Sequence, residues 1–401
     1  MAQTTDETIG QRLRAMVLVA PLALFLLAVF YYPIWDMLGL SVRDGELAEV
    51  MPKTALEIAR WDGKGLPDAA TFAAVATDLN KAARDRTAGT AGRRLSYENP
   101  DNRAVITSTA RALKVAPDPA SDWTTALQQI DPAWGKPAIW AAIQNARGPN
   151  SDYFLLSALD LHRDAEGSIE RVPEDSRLYL DVLGRTLVIA LSVTVLAILL
   201  ALPAAYLLKT ASPTLSSLMM IALLLPLWTS LLVRSAAWTV LLQKNGVINA
   251  MLIKMGLIDA PLALIYNRTG VLIALTHVLL PYAVLPILSA MRNVPANQTL
   301  AASSLGAGAL RTFFQVFLPQ IVPGISAAGL LVFILALGYY ITPLLLGGAG
   351  DQLLPYYIAF NTTQTVNWGL AAALGTILLI ATFLLYGLYV RLVGVDRMGL
   401  G

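Results

Sequence analysis

Six stretches of this 401-residue chain are apolar over the roughly 20 residues that a helix needs to cross a lipid bilayer. Hydrocarbon offers no water to satisfy a backbone N–H or C=O, so such a stretch must close its hydrogen bonds within itself as a helix. They run at about 15–38, 184–208, 215–241, 270–290, 325–346 and 370–393. Pro226 interrupts the third, and Pro281 and Pro286 lie inside the fourth. Arg12 and Arg14 before the first would suit a cleaved signal peptide. Tyr31, Tyr32 and Trp35 instead form an interfacial belt with no small-x-small cleavage site after it, which favours an uncleaved anchor.

Composition agrees. Hydrophobic residues make up 56% of the chain and charged residues 14%, against about 25% in soluble domains; mean hydropathy is +0.59. The charges are unevenly placed. Residues 41–180 hold 20 acidic and 17 basic side chains, which is 37 of the 56 in the chain. That third belongs in water and the remainder mostly in lipid. Lys and Arg in the short connections set orientation. With the N-terminus inside, the cytoplasmic side holds Arg12, Arg14, Lys209, Arg292, Arg311, Arg391 and Arg397, against Lys244, Lys254 and Arg268 outside. The expected topology is therefore multi-pass with both termini cytoplasmic.

The chain has no cysteine, which excludes disulfides, thiolate metal sites and cysteine nucleophiles. Its two histidines, His162 and His277, are too few for a multi-histidine metal site. No Gly-x4-Gly-Lys-[Ser/Thr] loop is present, so the chain does not hold ATP by that device. No nucleophile, metal or phosphate-loop spacing appears. An enzyme is not expected, nor are catalytic or metal residues, a cofactor in this chain, or nucleic acid as a partner.

Residues 41–180 are too long for a simple connection and read as a mostly helical domain between the first and second spans. Asp68 is placed to cap a helix through about Arg84, with Phe72, Val75, Ala76 and Leu79 on one face. Further helices are expected at about 101–114, 121–130, 137–146 and 151–161, punctuated by Pro117, Pro119, Pro132, Gly135 and Gly148. Trp61, Trp123, Trp134 and Trp140 are the candidate core. The segment is either a stabilising insertion or a docking surface for an extracytoplasmic partner.

Residues 300–319 are the most specific signal. They read Leu300-Ala301-Ala302, three residues, Gly306, nine residues, Val316, one residue, then Leu318-Pro319. This resembles the cytoplasmic signature loop of ABC-importer permeases, Glu-Ala-Ala-x3-Gly-x9-Ile-x-Leu-Pro. One position departs: Leu300 stands where the family has its acid. The resemblance continues through Pro226-Leu-Trp-Thr-Ser-Leu-Leu-Val-Arg234-Ser-Ala-Ala-Trp238, Asn245-Gly246-Val-Ile-Asn249, Thr276-His277 to Pro286, and Leu337-Gly338-Tyr339-Tyr340-Ile-Thr342-Pro343. These segments look like those of spermidine/putrescine permeases. The likeness covers about 180–393.

It implies an all-α membrane protein with six transmembrane helices in the type I importer permease fold. The expected organisation is an N-terminus and first helix at 1–40, a periplasmic helical insertion at 41–180, and a five-helix permease core at 181–401 with a cytoplasmic coupling loop at 292–324. The location implied is a bacterial inner membrane, in contact with lipid. Partners implied are an ABC ATPase dimer that binds ATP and Mg on separate chains, a second permease subunit and a periplasmic solute-binding protein. The function implied is ATP-driven import by alternating access, with a polyamine as the best-matched cargo. Importers of opines, amino-acid-like solutes, phosphonates or iron share much of the pattern. An ATPase-independent channel or a membrane scaffold are the rival classes.

The coupling residues carried over are Leu300, Ala301, Ala302, Gly306, Arg311, Phe314, Leu318 and Pro319. Small residues permit close approach to an ATPase groove, glycine permits a sharp turn, and the apolar side chains anchor. Ionisable residues inside spans are expensive and mark Arg234 and His277 as solute-pathway candidates. Snorkelling explains the arginine equally, and a hydrogen-bonded helix contact the histidine. Trp228, Trp238, Tyr282, Tyr339 and Tyr340 are candidates to hold an amine over an aromatic face, although ordinary packing uses such rings as often.

Overall fold

A computed structural model describes residues 3–115, 122–164 and 168–393. The expected helix start at Ser121, with Pro117 and Pro119, lies outside them. Two compact units emerge, one of Met1–Arg177 with Val366–Thr376, the other of Leu178–Thr365 with Ile377–Gly401. Five helices are long and apolar enough to cross a membrane, and a bent pair makes up to six.

The first unit contains the first span, Met16–Leu40, and the small helices that follow. Local sequence decides several of these. Asp68 caps the helix Ala69–Asp85 by accepting from the Thr71 N–H, and Asp122 caps Trp123–Ile130 by accepting from the Thr124 N–H. Phe72, Val75, Ala76 and Leu79 are buried as one face. Trp134 and Trp140 are fully buried with ring centroids 5.2 Å apart, while Trp61 and Trp123 pack at the edge of the same core. The expected helix at 151–161 is shorter, Tyr153–Ala158. Leu161 instead opens a two-stranded antiparallel ribbon, Leu161–Arg163 with Ile169–Arg171. Residues 46–50, 52–58 and 88–96 are helices that periodicity over longer windows passes over.

A buried ionic hub holds this unit together. Arg94 is 0% exposed. It donates to both Asp44 oxygens at 2.6–2.9 Å and to Glu98 at 3.1 Å, and its guanidinium lies 4.6 Å from the Tyr153 ring centre. Burial opposes its charge, but the hydrogen bonds and charge of Asp44, with the charge of Glu98, raise its pKa. Burial pushes the Glu98 carboxyl up to about 7, against the opposing pull of Arg94. Phe154 stands beside Tyr153 and against Gly369, where an added Cβ would meet its ring at 2.4 Å.

In the second unit the helices Tyr179–Thr210, Arg268–Asn293 and Leu318–Leu337 pack on one another. Ala190, Ala197, Ala201 and Ala205 line the buried face of the first of them and let its neighbours approach closely. Gly324 does the same for the third: a Cβ there would lie 2.3 Å from the Ala290 Cβ and 2.9 Å from the Pro286 carbonyl oxygen. The third apolar stretch is sharply broken near Pro226. Pro213–Trp228 and Leu231–Leu241 meet at a 106° bend, with Ser230 capping the second helix through the Val233 N–H. The fifth stretch is also displaced from its expected bounds. It runs Ala309–Leu337, through a π-helical turn at Phe313–Phe317, and breaks at Gly338–Tyr340 before the short helix Ile341–Leu346. The connection ahead of it therefore spans 294–308, and residues 309–324 belong to the helix.

Candidate functional site: an exposed turn and an aromatic–guanidinium cluster

The connection at 294–308 is a short helix with a defined stop. Ala296–Ser304 ends in a Schellman motif: the Ala307 N–H donates to the Ala302 carbonyl and the Gly306 N–H to the Ser303 carbonyl, each at 3.0 Å. That geometry requires a left-handed residue, and Gly306 supplies it at φ +85°. Gly308, at φ −64°, needs no such freedom. The Ser303 and Ser304 hydroxyls donate back to the carbonyls of Thr299 and Leu300, so they are satisfied within the helix.

No side chain of Ala296–Ser304 is buried. Leu300, Leu305, Leu310 and Phe314 are all exposed, Leu305 at 89%. Ala301 is exposed beside them and Ala302 half-buried. Arg311 donates to the Gln315 side chain at 2.9 Å on the same surface. Leu318 and Pro319 are the first two residues of the long helix and do not belong to the turn. The flank is fixed. Phe317 is buried, the Lys209 ammonium lies 4.9 Å from its ring, and that ammonium donates to the Met291 carbonyl at 2.6 Å. A rigid base thus carries an apolar tip.

The second group of residues gathers near the 106° bend. The Trp238 indole N–H donates to His277 Nδ1 at 3.2 Å, with the rings 5.2 Å apart and edge-on. Nδ1 is then the acceptor, and neutral His277 carries its proton on Nε2. Arg234 lies within electrostatic reach of both His277 and Tyr339, and Tyr282 within reach of Tyr339. Tyr339 and Tyr340, with Leu231, Ile334, Leu335 and Gly338, line a cavity of about 300 Å³. A buried hydrogen bond of 2.9 Å between Ser235 and Thr342 ties the helix Leu231–Leu241 to Ile341–Leu346 and holds that cavity's wall. Trp228 is not drawn into the group; it stands at the bend, 81% exposed. Sequence reasoning missed Ser235 and Thr342, since no local pattern announces a bond between residues 107 apart.

The model of the family described as "Binding-protein-dependent transport system inner membrane component" matches residues 178–394. The chain belongs to this family. Its members are membrane components of transport systems rather than enzymes, and the match takes in both the exposed turn and the aromatic–guanidinium cluster. The chain is similar to the spermidine/putrescine transport system permease protein PotB of Haemophilus influenzae, 33% identical over 53% of this chain and 75% of that protein. PotB of Escherichia coli K12 is 32% identical over 53% of this chain and 78% of its own length. Among solved structures, a bacterial alginate ABC transporter in complex with an alginate-bound periplasmic protein gives a TM-score of 0.45 at 19% identity, over 56% of this chain and 81% of that one. The family match begins at residue 178, so the helices at 46–158 lie outside it. This is an inner-membrane ABC-importer permease of mainly helical build, similar to PotB.

Proposed function

We propose that this chain is one permease subunit of an ATP-driven importer that moves a polyamine such as spermidine or putrescine inward by alternating access. The observation that carries the reading is the exposed, Schellman-ended helix at 296–306, inside the region that matches the permease family. Its apolar tip is exposed and suits a groove on a separate ATPase. Leu300, Leu305, Leu310 and Phe314 provide the contact, and Ala301 and Ala302 let the helix seat closely. ATP and Mg are held by the ATPase dimer. A second permease subunit completes the pathway, and a periplasmic binding protein delivers the cargo. In this reading both termini and the turn are cytoplasmic, and residues 41–177 lie outside.

Polyamine is supported by the likeness to PotB over three quarters of that protein's length. The cluster of Trp238, Tyr282, Tyr339 and Tyr340 offers aromatic faces for an amine in transit. Selectivity then rests with the binding protein, because the described spans of the second unit carry a single carboxylate, Asp181 in the first turn of Tyr179–Thr210, to hold a polycation.

The test is reconstitution of the full complex in liposomes with radiolabelled spermidine. Uptake should require the ATPase and the binding protein, and Gly306→Trp should abolish uptake-coupled ATP hydrolysis while leaving membrane insertion intact. Uptake by this chain alone would show a passive channel. Normal coupling in the Gly306 variant would remove the turn from the mechanism.

A further inference from the structure

Arg234 is incompletely satisfied by its own chain. Its Nε and one terminal nitrogen are buried and have no hydrogen-bond partner. It stands just past the bend, in the first turn of the apolar helix Leu231–Leu241. The groups around it cannot neutralise it. An indole N–H is only a donor, and His277 Nδ1 already accepts from Trp238. Tyr339 and Tyr282 bring neutral hydroxyls. The carboxylates that the structure describes in this unit are Asp181, Asp259 and Asp351, and none hydrogen bonds to Arg234. Asp351 is engaged with Arg268 at 3.4 Å and with the Gly348 N–H at 3.1 Å. A guanidinium inside a span without a counter-charge costs several kcal/mol, and such residues pair or face a cavity.

The helix that carries Arg234 also has an open face. Leu232, Val233 and Val240 are exposed, with the small exposed residues Ala236 and Ala237 between them. The sequence Val233, Ala237, Val240 follows the i, i+4, i+7 spacing of a helix–helix seam, and small residues let two backbones approach. Arg234 sits at the margin of that seam. Lipid would cover the apolar residues but supplies no fixed acid at that depth.

We propose that this face docks a helix of a second membrane-embedded subunit, and that a carboxylate on that helix pairs with Arg234. The inference rests on the reading that this chain works with a second permease. An anionic group on the cargo has the same chemistry, but it is absent between transport cycles, whereas the guanidinium needs its counter-charge in every state. A polyamine, moreover, has no anionic group. A carboxylate matches the planar donor set of arginine better than any neutral acceptor does.

The test uses the intact complex, purified through this chain. Arg234→Glu places like charges together and should lower recovery of the second permease by at least about tenfold, as loss of a buried pair worth 1.4 kcal/mol or more requires. Arg234→Gln should lower it less. Replacing the partnering carboxylate on the second permease by arginine should restore recovery with Arg234→Glu. Because this chain has no cysteine, Arg234→Cys gives a unique thiol that should cross-link to a cysteine at the same partner position, a readout that survives if the glutamate variant fails to fold. Normal assembly of Arg234→Glu would overturn the proposal. So would the absence of a cross-link to every carboxylate position in the second permease's spans. Normal assembly with altered preference between carboxylate-bearing and purely cationic cargo would assign the anion to the cargo and overturn it as well. Should no second permease co-purify with the unaltered chain, the two-permease reading itself fails, separately from Arg234.

Discussion

Leu305→Ala separates docking from folding. The Leu305 side chain is 89% exposed at the end of the helix Ala296–Ser304, so the substitution removes no internal packing. A surface change of that kind moves stability by about 0.5 kcal/mol or less. Buried in a groove of the ATPase, the same side chain would contribute differently. Alanine lacks three of its carbons, at about 0.8 kcal/mol for each buried CH2, so docking weakens by about 2 kcal/mol. That is roughly 30-fold in affinity. The assay is titration of the ATPase dimer against the permease pair in nanodiscs, with cargo-stimulated ATP hydrolysis followed in parallel. The melting temperature of the variant should match the parent while its Kd rises. An unchanged Kd with an unchanged melting temperature would refute the idea that this tip is the docking surface. An acid at position 300 would have added a salt-dependent contribution; Leu300 does not, so the affinity should also depend weakly on ionic strength.

Three further outcomes follow from packing and charge. Gly324→Leu drives a side chain into Ala290 and the Pro286 carbonyl and should destabilise the detergent-solubilised chain by about 1–3 kcal/mol, read as a lower thermal midpoint, with partial recovery by Ala290→Gly. Arg94→Met strands Asp44 without its counter-charge and removes a donor to Glu98, and loss of about 3–5 kcal/mol should appear as faster hydrogen exchange across residues 44–115; unchanged protection would show the hub to be dispensable. Glu98 has its pKa pushed up to about 7 by burial from the usual 4.5, so its protonated form is the one the fold favours. Its stabilising contribution is complete below about pH 4.5 and is lost as pH rises through 7, a change of about 3 kcal/mol. Hydrogen exchange at pH 5 and pH 8, corrected for intrinsic rates, should show that slope, and Glu98→Gln should flatten it; an equal slope in the variant would assign it to another group.

What the sequence made legible is what short-range chemistry controls. Asp68 caps its helix because a carboxylate three residues ahead of an N–H is well placed to accept from it. Gly306 turns left-handed because a helix that stops by two reverse hydrogen bonds needs a residue without a Cβ. The positions that escaped are decided elsewhere. Periodicity cannot place the start of the fifth span at Ala309, since Phe313–Phe317 winds as a π-turn that shifts the apolar face out of its 3.6-residue phase. It cannot turn Pro226 into a 106° bend either, because the direction of the second helix is set by the Ser235–Thr342 bond far along the chain. Arg94 looked like one more charge in a charged segment; its partner Asp44 lies 50 residues away, before most of the domain has begun.

Two arginines, one buried and one half-buried, sharpen the difference between the units. Arg94 has four hydrogen-bonding and ring partners, all from its own unit: Asp44, Glu98, Tyr153 and Phe154 close around it through two carboxylates and two rings. The low local dielectric that makes a lone charge costly is offset there by fixed opposite charge. Arg234, half-buried with two nitrogens shut off from solvent, faces part of that cost with rings and a histidine but no carboxylate. A fold that compensates one guanidinium so fully has no physical reason to leave another open, unless the compensation comes from a second chain. The same logic applies to the tip at Leu300, Leu305, Leu310 and Phe314, whose apolar side chains are exposed together. The helical domain of the first unit compensates its buried arginine from within. The second unit packs a three-helix core and leaves two open edges, one apolar and one charged, which are the kinds of joint that the proposed contacts with an ATPase and a second permease would require.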